Sequence, residues 1–550
     1  MSSSRHSIGS YLIRRLQDYG VRHIFGIPGD YVLTFYQMLE KSPIKVIGVT
    51  REDSSGFAAD AYSRINGMGA ICVTYCVGGL NVTNSIAGAY AEKSPVVVIT
   101  GSPGLNERKD NPMLHHKVKT FSTQREIFAQ FTAASAVLDD PGTAFRQIDE
   151  TLAACWRTKR PVYLEIPRDM VSVAPRLASR PKSIVEKSDP AALREALAES
   201  IARINASKRP VILADVEVHR YGLCRELRLL TDRTGIPVAA TLLGKSVISE
   251  RHPRYIGIYE GAMGRPEVQQ FVEKSDCLLM LGTLLTDLNL GIYTAHLDRH
   301  RSIEATSEKI QISHHQYTNV LFGDFLRGLL KAKIRRRTFP IPRHAPHYTP
   351  PVKASPSNPL TVNQVFTLLN EWLRDDMVVI CDTGLAMFGA VDLTIHRGTE
   401  FVAPAYYASM GFAVPAALGA QMARPRLRPV VIVGDGAFQM SGTELSTIAK
   451  HGLNPIVLVL NNHGYTTERL ILEGPFNDIH EWRYDQLPTL LGSGWGCQVH
   501  TQKDFEQAWR QALEHHHEFS LLNIHLAPRD STTSLSRLGQ YLGECVKRNR

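Results

Sequence analysis

The stretch VIVGDGAFQMSGTELSTIAKHGLNPIVLVLNNHGYTTE, residues 431–468, decides the fold of this chain. Two apolar runs, Val430–Val433 and Ile456–Leu460, predict buried strands, because each is short and is followed by turn residues. Polar clusters follow these runs, Gly434–Gly436 after the first and Asn461-Asn462 after the second. Since α/β sheets bind ligands at the carboxyl ends of parallel strands, we expect a ligand site at this edge.

The residue types at this edge suit a metal-bound diphosphate. Asp435 offers an anionic oxygen, Asn462 a neutral one, and the backbone carbonyl of Gly464 a third. Three oxygens from neighbouring turns suit Mg²⁺, which completes its shell with water and phosphate. Gly434 and Gly436 let the backbone approach the phosphates. A lone Gly-Asp-Gly triplet is more often an ordinary turn, so the pattern alone leaves that alternative open.

Two nucleotide motifs fail in this sequence. Gln439 stands where a dinucleotide fingerprint needs its third glycine, and Ala239 stands where a P-loop needs its first glycine. The sequence therefore supports neither NAD nor a nucleoside triphosphate as ligand.

Composition excludes several broad classes. With 550 residues, 43% hydrophobic and 21% charged, the chain reads as a multidomain globular protein. The net charge of +9 is modest, and the cluster Arg335–Arg337 carries no interleaved aromatics, so we expect no nucleic-acid partner. No apolar run approaches membrane-spanning length. The eight scattered cysteines form no CxxC pair, which favours reduced thiols and a cytoplasmic protein.

Apolar runs and helical patterns alternate along the chain, which predicts an α/β fold of three doubly wound parallel-sheet domains. A proline-rich, basic segment separates the last domain from the others, and it cannot form a regular helix. We predict a first domain at 1–178, a middle domain at 190–333, a linker at 334–358 and a third domain at 359–550.

The Gly-Asp-Gly triplet, followed after a helix and a strand by Asn-Asn, resembles the motif of thiamin-diphosphate (ThDP) enzymes. Its continuation GYTTERLI, residues 464–471, resembles the pyruvate/indolepyruvate decarboxylase family. The resemblance covers nearly the whole chain. It implies ThDP and Mg²⁺ as cofactors, a ThDP-binding fold with pyrimidine and diphosphate domains flanking the middle one, and Asp435, Asn462 and Gly464 as metal ligands.

The same resemblance implies the catalytic residues. Glu52 corresponds to the glutamate that hydrogen-bonds N1′ of the cofactor's aminopyrimidine, whereas a glutamate there would otherwise cap a helix. Asp30 in IPGDYVL and the pair His115-His116 match the decarboxylases of this type and imply proton transfer to the reacting carbon. An isolated histidine pair in a loop is usually structural. Glu468 is expected to face the substrate carboxylate.

The resemblance also assigns the remaining cofactor contacts. Met410 falls where the family places the bulky residue that bends the cofactor, although a core methionine is the commoner role. The carbonyl of Ala408 would hold the 4′-amino group. The full set implied to bind the cofactor is Glu52, Gly78, Gly384, Ala408, Met410, Gly434, Asp435, Gly436, Ala437, Asn462, Gly464 and Tyr465.

The substrate pocket departs from that of pyruvate decarboxylases. Leu385 stands where bacterial enzymes carry a polar pyrimidine contact, Met387 replaces an aromatic residue, and Thr467 replaces an isoleucine. With Ile471, these residues predict a wider pocket. We therefore expect non-oxidative decarboxylation of branched, longer aliphatic or aromatic 2-oxo acids to aldehydes and CO₂, in preference to pyruvate.

Glu52 and Asp435 lie in different domains, which in this family come from different subunits. The resemblance therefore implies a homodimer with shared active sites, and a homotetramer as the larger assembly. Leucines at 535, 538 and 542 have helical spacing and predict a C-terminal helix, which the family uses as a lid. Two alternatives stay open: a carboligase of the acetolactate-synthase type, and an inactive ThDP-binding protein.

Overall fold

The computed structural model describes residues 6–175, 186–342, 357–396 and 400–548. It contains three α/β units, each built on one sheet, and confirms the predicted fold class. Most of the predicted linker, 343–356, lies outside the described residues. None of the described helices is both long and apolar enough to cross a bilayer.

The first sheet has the strand order β2-β1-β3-β4-β6-β5, and all of its pairs are parallel. Its central strands are fully buried, which explains their continuous Val and Ile runs. The strands are β1 His23–Gly26, β2 Lys45–Gly48, β3 Gly69–Val73, β4 Val96–Ser102, β5 Ser135–Val137 and β6 Val162–Pro167. The helices are α1 Ile8–Asp18, α2 Leu33–Glu40, α3 Glu52–Asn66, α4 Val77–Asn81, α5 Thr83–Ala91, α6 Thr123–Phe128 and α7 Ala144–Thr158.

The middle sheet differs from the prediction at one edge. Its order is β13-β12-β11-β10-β7-β8-β9, and β12 and β13 run antiparallel to their neighbours, so this sheet is mixed. The strands are β7 Pro210–Ala214, β8 Val238–Ala240, β9 Tyr255–Ile258, β10 Cys277–Leu281, β11 Ser302–Ala305, β12 Ile310–Ile312 and β13 His315–Tyr317. The helices are α8 Pro190–Ala206, α9 Val216–Arg220, α10 Cys224–Thr234, α11 Pro266–Glu273 and α12 Phe322–Lys331.

The third sheet is entirely parallel, with the order β15-β14-β16-β17-β19-β18. The strands are β14 Met377–Cys381, β15 Glu400–Val402, β16 Arg428–Gly434, β17 Ile456–Asn461, β18 Trp495–Val499 and β19 Ser520–His525. The helices are α13 Val362–Trp372, α14 Leu385–Ala390, α15 Ala413–Ala423, α16 Asp435–Ser441, α17 Leu445–Lys450, α18 Thr466–Ile471, α19 Leu487–Leu491, α20 Gln502–Glu514 and α21 Thr533–Arg548. As predicted, β16 and β17 are adjacent, and their carboxyl ends carry the two polar clusters.

Helices α3 and α15 join the first and third units through a shared apolar core. The rings of Phe57 and Phe412 meet edge to face at 5.7 Å. A Cβ at Gly419 would lie 1.9 Å from the backbone oxygen of Ala58, so this crossing requires glycine. Arg64 adds a hydrogen bond from its Nη1 to the backbone oxygen of Ala403 at 2.8 Å. The helix that begins at Glu52 is therefore fixed to the unit that carries Asp435.

Candidate active site

Asp435, Asn462 and Gly464 form a buried group that we call the metal corner. Asp435 follows β16 and is 1% exposed. Its carboxylate accepts hydrogen bonds from the backbone amides of Gly436 at 2.8 Å, Asn462 at 3.2 Å and Gly464 at 3.1 Å. Burial raises its pKa to about 6, although these amides act in the opposite direction. The two strand-end turns thus hold one carboxylate in a fixed orientation.

The side-chain oxygen of Asn462 is the second candidate metal ligand. Asn462 is 2% exposed, and its Oδ1 has no hydrogen-bond partner among the described residues. Leaving a buried acceptor unpaired costs about 1–3 kcal/mol, so such an atom suggests a ligand. The Gly464 carbonyl accepts a 3.2 Å hydrogen bond from the Thr466 amide. These three oxygens fit the preference of Mg²⁺ for hard oxygen ligands.

The glycines around the metal corner keep the backbone accessible or tightly turned. Gly464 has φ +142°, and a Cβ there would lie 2.0 Å from the backbone oxygen of Asn477. A Cβ at Gly436 would lie 2.4 Å from the ring of Tyr465, so this ring packs directly on the glycine. Beside Gly434 nothing lies within 4 Å of where a Cβ would be. The open space and the close packing suit the predicted diphosphate contacts.

The predicted pyrimidine contacts of the third unit lie on loops after β14 and β15. Gly384 has φ +74°, and a Cβ there would lie 3.0 Å from the hydroxyl of Thr467. Ala408 has φ +56°, which orients its peptide for a tight turn. Met410 is 38% exposed, an uncommon position for a methionine that serves only as core. The hydroxyl of Ser409, between them, accepts a hydrogen bond from Asn84 of the first unit at 2.8 Å.

Asp382 fixes this loop and was not predicted. Its fully buried carboxylate accepts hydrogen bonds from the backbone amides of Gly411 at 3.2 Å and Ala413 at 2.9 Å. Burial raises its pKa to about 6. The position after a buried strand is the signal that could have identified it.

Glu52 is the first residue of α3 and is half-buried. Its Oε2 accepts a hydrogen bond from Nδ2 of Asn81 at 2.7 Å. A Cβ at Gly78 would lie 3.7 Å from Glu52 Oε1, so the predicted pair Glu52 and Gly78 lies together. The first turn of a helix favours a carboxylate, and Arg51, the N-cap, makes no side-chain capping bond but pairs with Asp53. Asn81 is a partner that sequence reasoning missed.

Asp30, His115 and His116 form an exposed group that we call the histidine corner. The Nε2 of His115 lies 2.8 Å from Asp30 Oδ2. The ring of Tyr31 stacks on His115 with centroids 4.8 Å apart, and Arg168 lies 3.7 Å from the same carboxylate oxygen. One ligand atom from each of the three residues lies within 4.8 Å of the others. The predicted cluster therefore forms in the folded chain, and its hydrogen-bonded pair can pass a proton.

Glu468 and the predicted substrate residues divide between surface and core. Glu468 lies in the first turn of α18 and is exposed, whereas Thr467 and Ile471 on the same helix are half-buried. Met387 on α14 is fully buried within a large apolar cluster that the middle and third units share. Its role in the substrate pocket stays a prediction.

Helix α21 packs on α18, and its role as a lid stays a prediction. Leu535 is fully buried and Leu538 is 4% exposed. A Cβ at Gly539 would lie 2.6 Å from Cβ of Leu470, so the two helices meet at a glycine. Arg537 Nη1 donates a 2.7 Å hydrogen bond to the backbone oxygen of Gly264 in the middle unit. The C-terminal helix thus covers one side of the helix that bears Glu468.

Comparison with known proteins matches all three units to one family. The profile of the thiamine pyrophosphate enzyme N-terminal TPP binding domain matches residues 6–127. The central domain profile matches residues 197–329, and the C-terminal TPP binding domain profile matches residues 382–524. The metal corner lies in the last range, and Glu52 and the histidine corner lie in the first.

Curated relatives cover almost the full length of the chain. The indole-3-pyruvate decarboxylase of Azospirillum brasilense is 35% identical over 96% of this chain and 97% of its own. The alpha-keto-acid decarboxylase of Mycolicibacterium paratuberculosis is 33% identical, with 94% and 93% covered. Pyruvate decarboxylase isozyme 2 of Saccharomyces cerevisiae is 34% identical, with 89% of each chain covered. The chain therefore belongs to the family of thiamine pyrophosphate enzymes, and it is similar to 2-oxo acid decarboxylases along nearly its whole length.

Proposed function

We propose that this chain is a ThDP- and Mg²⁺-dependent carboxy-lyase that converts 2-oxo acids to aldehydes and CO₂. The observation that carries the proposal is the unpartnered, buried Oδ1 of Asn462 beside the fixed carboxylate of Asp435. This pair of oxygens suits a bound Mg²⁺ ion, and a Mg²⁺ ion in turn would bind the diphosphate of the cofactor. The 2.8 Å contact of His115 with Asp30 adds the proton donor that aldehyde release needs.

Each group has one task in this proposal. Asp435 and Asn462 would hold Mg²⁺, and Glu52 would hold a proton against the pyrimidine nitrogen of the cofactor. When bound, ThDP supplies the electron sink for the pair released with CO₂. His115, oriented by Asp30 and by the stacked ring of Tyr31, would deliver a proton to the reacting carbon. Glu468 would orient the substrate carboxylate.

Product analysis tests the reaction class. The protein is incubated with ThDP, Mg²⁺ and a panel of 2-oxo acids, and CO₂ and aldehyde are measured. We expect both in equal amounts. Release of CO₂ with an acyloin or acetohydroxy acid as the main product would favour the carboligase alternative. No release with any substrate would favour an inactive ThDP-binding protein.

We further propose that the substrate is larger than pyruvate. Thr467 and Met387 replace bulkier residues of pyruvate decarboxylases, and one similar protein is named for indole-3-pyruvate, an aromatic 2-oxo acid. One methylene group in an apolar pocket changes kcat/KM by about 10- to 200-fold, so the preference is measurable. A higher kcat/KM for pyruvate than for both 2-oxoisovalerate and phenylpyruvate would refute it.

Shared active sites in a homodimer, or in a homotetramer of such dimers, are also proposed. The support is the exposure of Asp30, His115 and Glu468 in the single chain, since groups that handle protons work best away from bulk water. Mixing two inactive variants, Glu52→Gln and Asp435→Asn, tests it. If each site takes one residue from each subunit, the mixed dimer has one intact site and regains activity. Failure of an isolated mixed dimer to turn over would contradict sharing.

A cytoplasmic location is proposed from the cysteines. Of the protein's eight cysteines, seven are free thiols in the part of the chain whose side chains the structure describes, and five of these are buried. Such thiols are typical of proteins from reducing compartments.

A further inference from the structure

A large cleft separates the first unit from the middle unit. Its volume is about 1150 Å³, which exceeds the size of ordinary small-molecule sites. The hydroxyl of Tyr221 donates a 2.8 Å hydrogen bond to the backbone oxygen of Arg157 and so fixes the two walls. Its aromatic lining residues are Tyr19, Tyr90, Trp156, Tyr221 and Phe322. Neither the metal corner nor the histidine corner lines this cleft.

Lys159 lines the same cleft and has an unusual backbone. It is the C-cap of α7, with φ +55°, and the left-handed conformation is uncommon for a residue with a side chain. The residue is only 4% exposed. Its Nζ lies 3.5 Å from the centroid of the Trp156 ring and 5.5 Å from that of Tyr221. The local fold therefore places an amine against an aromatic wall.

This amine has no anionic partner, in contrast to the other buried lysines. Lys93 is 4% exposed and pairs with Glu217, and Lys245 is 1% exposed and lies 2.7 Å from Glu250. No hydrogen bond or ion pair joins Lys159 Nζ to any residue that the structure describes. A buried lysine normally requires such a partner, because burial penalises the charged form.

The other cations of the cleft are already paired. The ion pairs join Arg157 to Glu186 at 3.1 Å, Arg160 to Glu308 at 3.6 Å and Arg327 to Glu226 at 3.4 Å. Lys159 is thus set apart by its environment, and burial lowers its pKa to about 8. A larger neutral fraction near neutral pH makes this amine a better nucleophile than an exposed lysine.

We propose that Lys159 is a carbonyl-binding lysine, which forms a reversible Schiff base with an aldehyde or 2-oxo acid that carries an aromatic substituent. The neutral Nζ attacks the carbonyl carbon, and a C–N bond forms while the C=O π electrons move to oxygen. Proton transfer from nitrogen to oxygen gives a carbinolamine. Loss of one water molecule then leaves the C=N bond, so the step needs neither an oxidant nor a reductant. The aromatic wall would hold the substituent.

The choice of ligand class rests on the proposed function, because aldehydes and 2-oxo acids are the compounds that this reaction makes and consumes. The binding step itself requires no turnover. It can therefore fail while decarboxylation succeeds, or succeed where decarboxylation fails.

Reductive trapping tests the proposal. The holoenzyme is incubated at pH 7 with phenylacetaldehyde or with phenylpyruvate, cyanoborohydride is added, and modified peptides are quantified by mass spectrometry. A trapped 2-oxo acid keeps its carboxylate, so its adduct is heavier than the aldehyde adduct by one CO₂, and the two sources are distinguished. We expect saturable modification of Lys159, at least about tenfold above the exposed lysines Lys41 and Lys503.

Matched variants separate the amine from its surroundings. Lys159→Arg keeps the charge and the ring contact but cannot form a C=N bond, and it should abolish trapping while leaving decarboxylation unchanged. Trp156→Leu keeps the amine but removes its aromatic contact, and it should raise the carbonyl concentration that gives half-maximal trapping severalfold. Modification of Lys159 no greater than that of Lys41 and Lys503 would overturn the proposal. The proposal would also be overturned if trapping at Lys159 in the wild-type protein rose linearly with carbonyl concentration. This measurement needs no variant, so it does not depend on whether a variant folds.

Discussion

The metal corner and the histidine corner each contain an aspartate, but one is buried and fixed by the backbone and the other is exposed. In the metal corner, Asp435 is 1% exposed and three backbone amides fix its carboxylate before any ligand arrives. In the histidine corner, the side chains of Asp30 and His115 are 39% and 58% exposed, and one contact joins them. The first group is preorganised for binding. The second group is open to solvent in the single chain, which is the exposure on which the proposal of shared active sites rests.

Replacing Glu52 tests the carboxyl group that is proposed to hold a proton against the cofactor. Glu52→Gln keeps the shape but removes the proton-holding carboxyl, so kcat should fall about 10³- to 10⁴-fold. Binding of ThDP and Mg²⁺, followed by calorimetry, should change little. Asp53→Asn, at the neighbouring position, is the matched control. A loss of cofactor affinity that accounts for the whole loss of rate would contradict the assignment.

Replacing His115 tests whether the histidine corner acts in proton transfer. We expect His115→Gln to lower kcat by about 10²-fold, because Asp30 alone is a poorer proton donor to carbon. Steady-state kinetics with the preferred substrate measures the change. His314→Gln removes a histidine from another exposed histidine pair, His300 and His314 in the middle unit, and should have no effect. Equal rates for the two variants would make the corner structural.

Removing the unpartnered oxygen tests the metal corner. Asn462→Ala should weaken Mg²⁺ binding by about 10- to 100-fold, with the loss recovered at high Mg²⁺. Because the lost oxygen is an unsatisfied one, the metal-free protein should not be destabilised by a broken hydrogen bond. Asn363→Ala, on the exposed face of α13, is the control. Unchanged Mg²⁺ affinity would exclude Asn462 as a ligand.

The smallest expected effect is a loss of Mg²⁺ affinity at the metal corner on acidification. Burial raises the pKa of Asp435 to about 6 in the folded protein. A raised carboxyl pKa favours the metal-free fold at low pH, and this contribution is lost as pH rises from about 4 to about 6. Mg²⁺ competes with the same proton, so its affinity should fall about tenfold per pH unit below about 6. Mg²⁺ titrations between pH 5 and 7.5 measure this slope. A flat affinity across that interval would show that no proton competes.

Local sequence signals predicted the parts of the fold that depend on short apolar runs. Strands β16 and β17 and their turns follow from such runs, and so does the metal corner at their ends. The break at Val82, which separates helices α4 and α5, has no comparable signal in the sequence. The antiparallel edge of β12 and β13 was also missed, because three-residue strands leave little periodicity to detect.

The site residues divide in the same way. Asp435 and Asn462 are metal-ligand residue types that directly follow predicted strands, so residue type and spacing were enough to identify them. Asn81, which holds Glu52, and Asp382, which holds the Met410 loop, act through contacts that only the folded chain creates. Without the family resemblance, the two histidines would read as surface residues. What limits the prediction of site residues from sequence is therefore the contacts between residues that are far apart in the chain.

The crossing of α3 and α15 limits how this protein can be divided into fragments. Since Gly419 touches the backbone of Ala58 and both helices feed one apolar core, the two terminal units cannot be expressed apart without exposing that core. A protease that nicks the connecting segments should leave the fragments associated, and truncation products should aggregate.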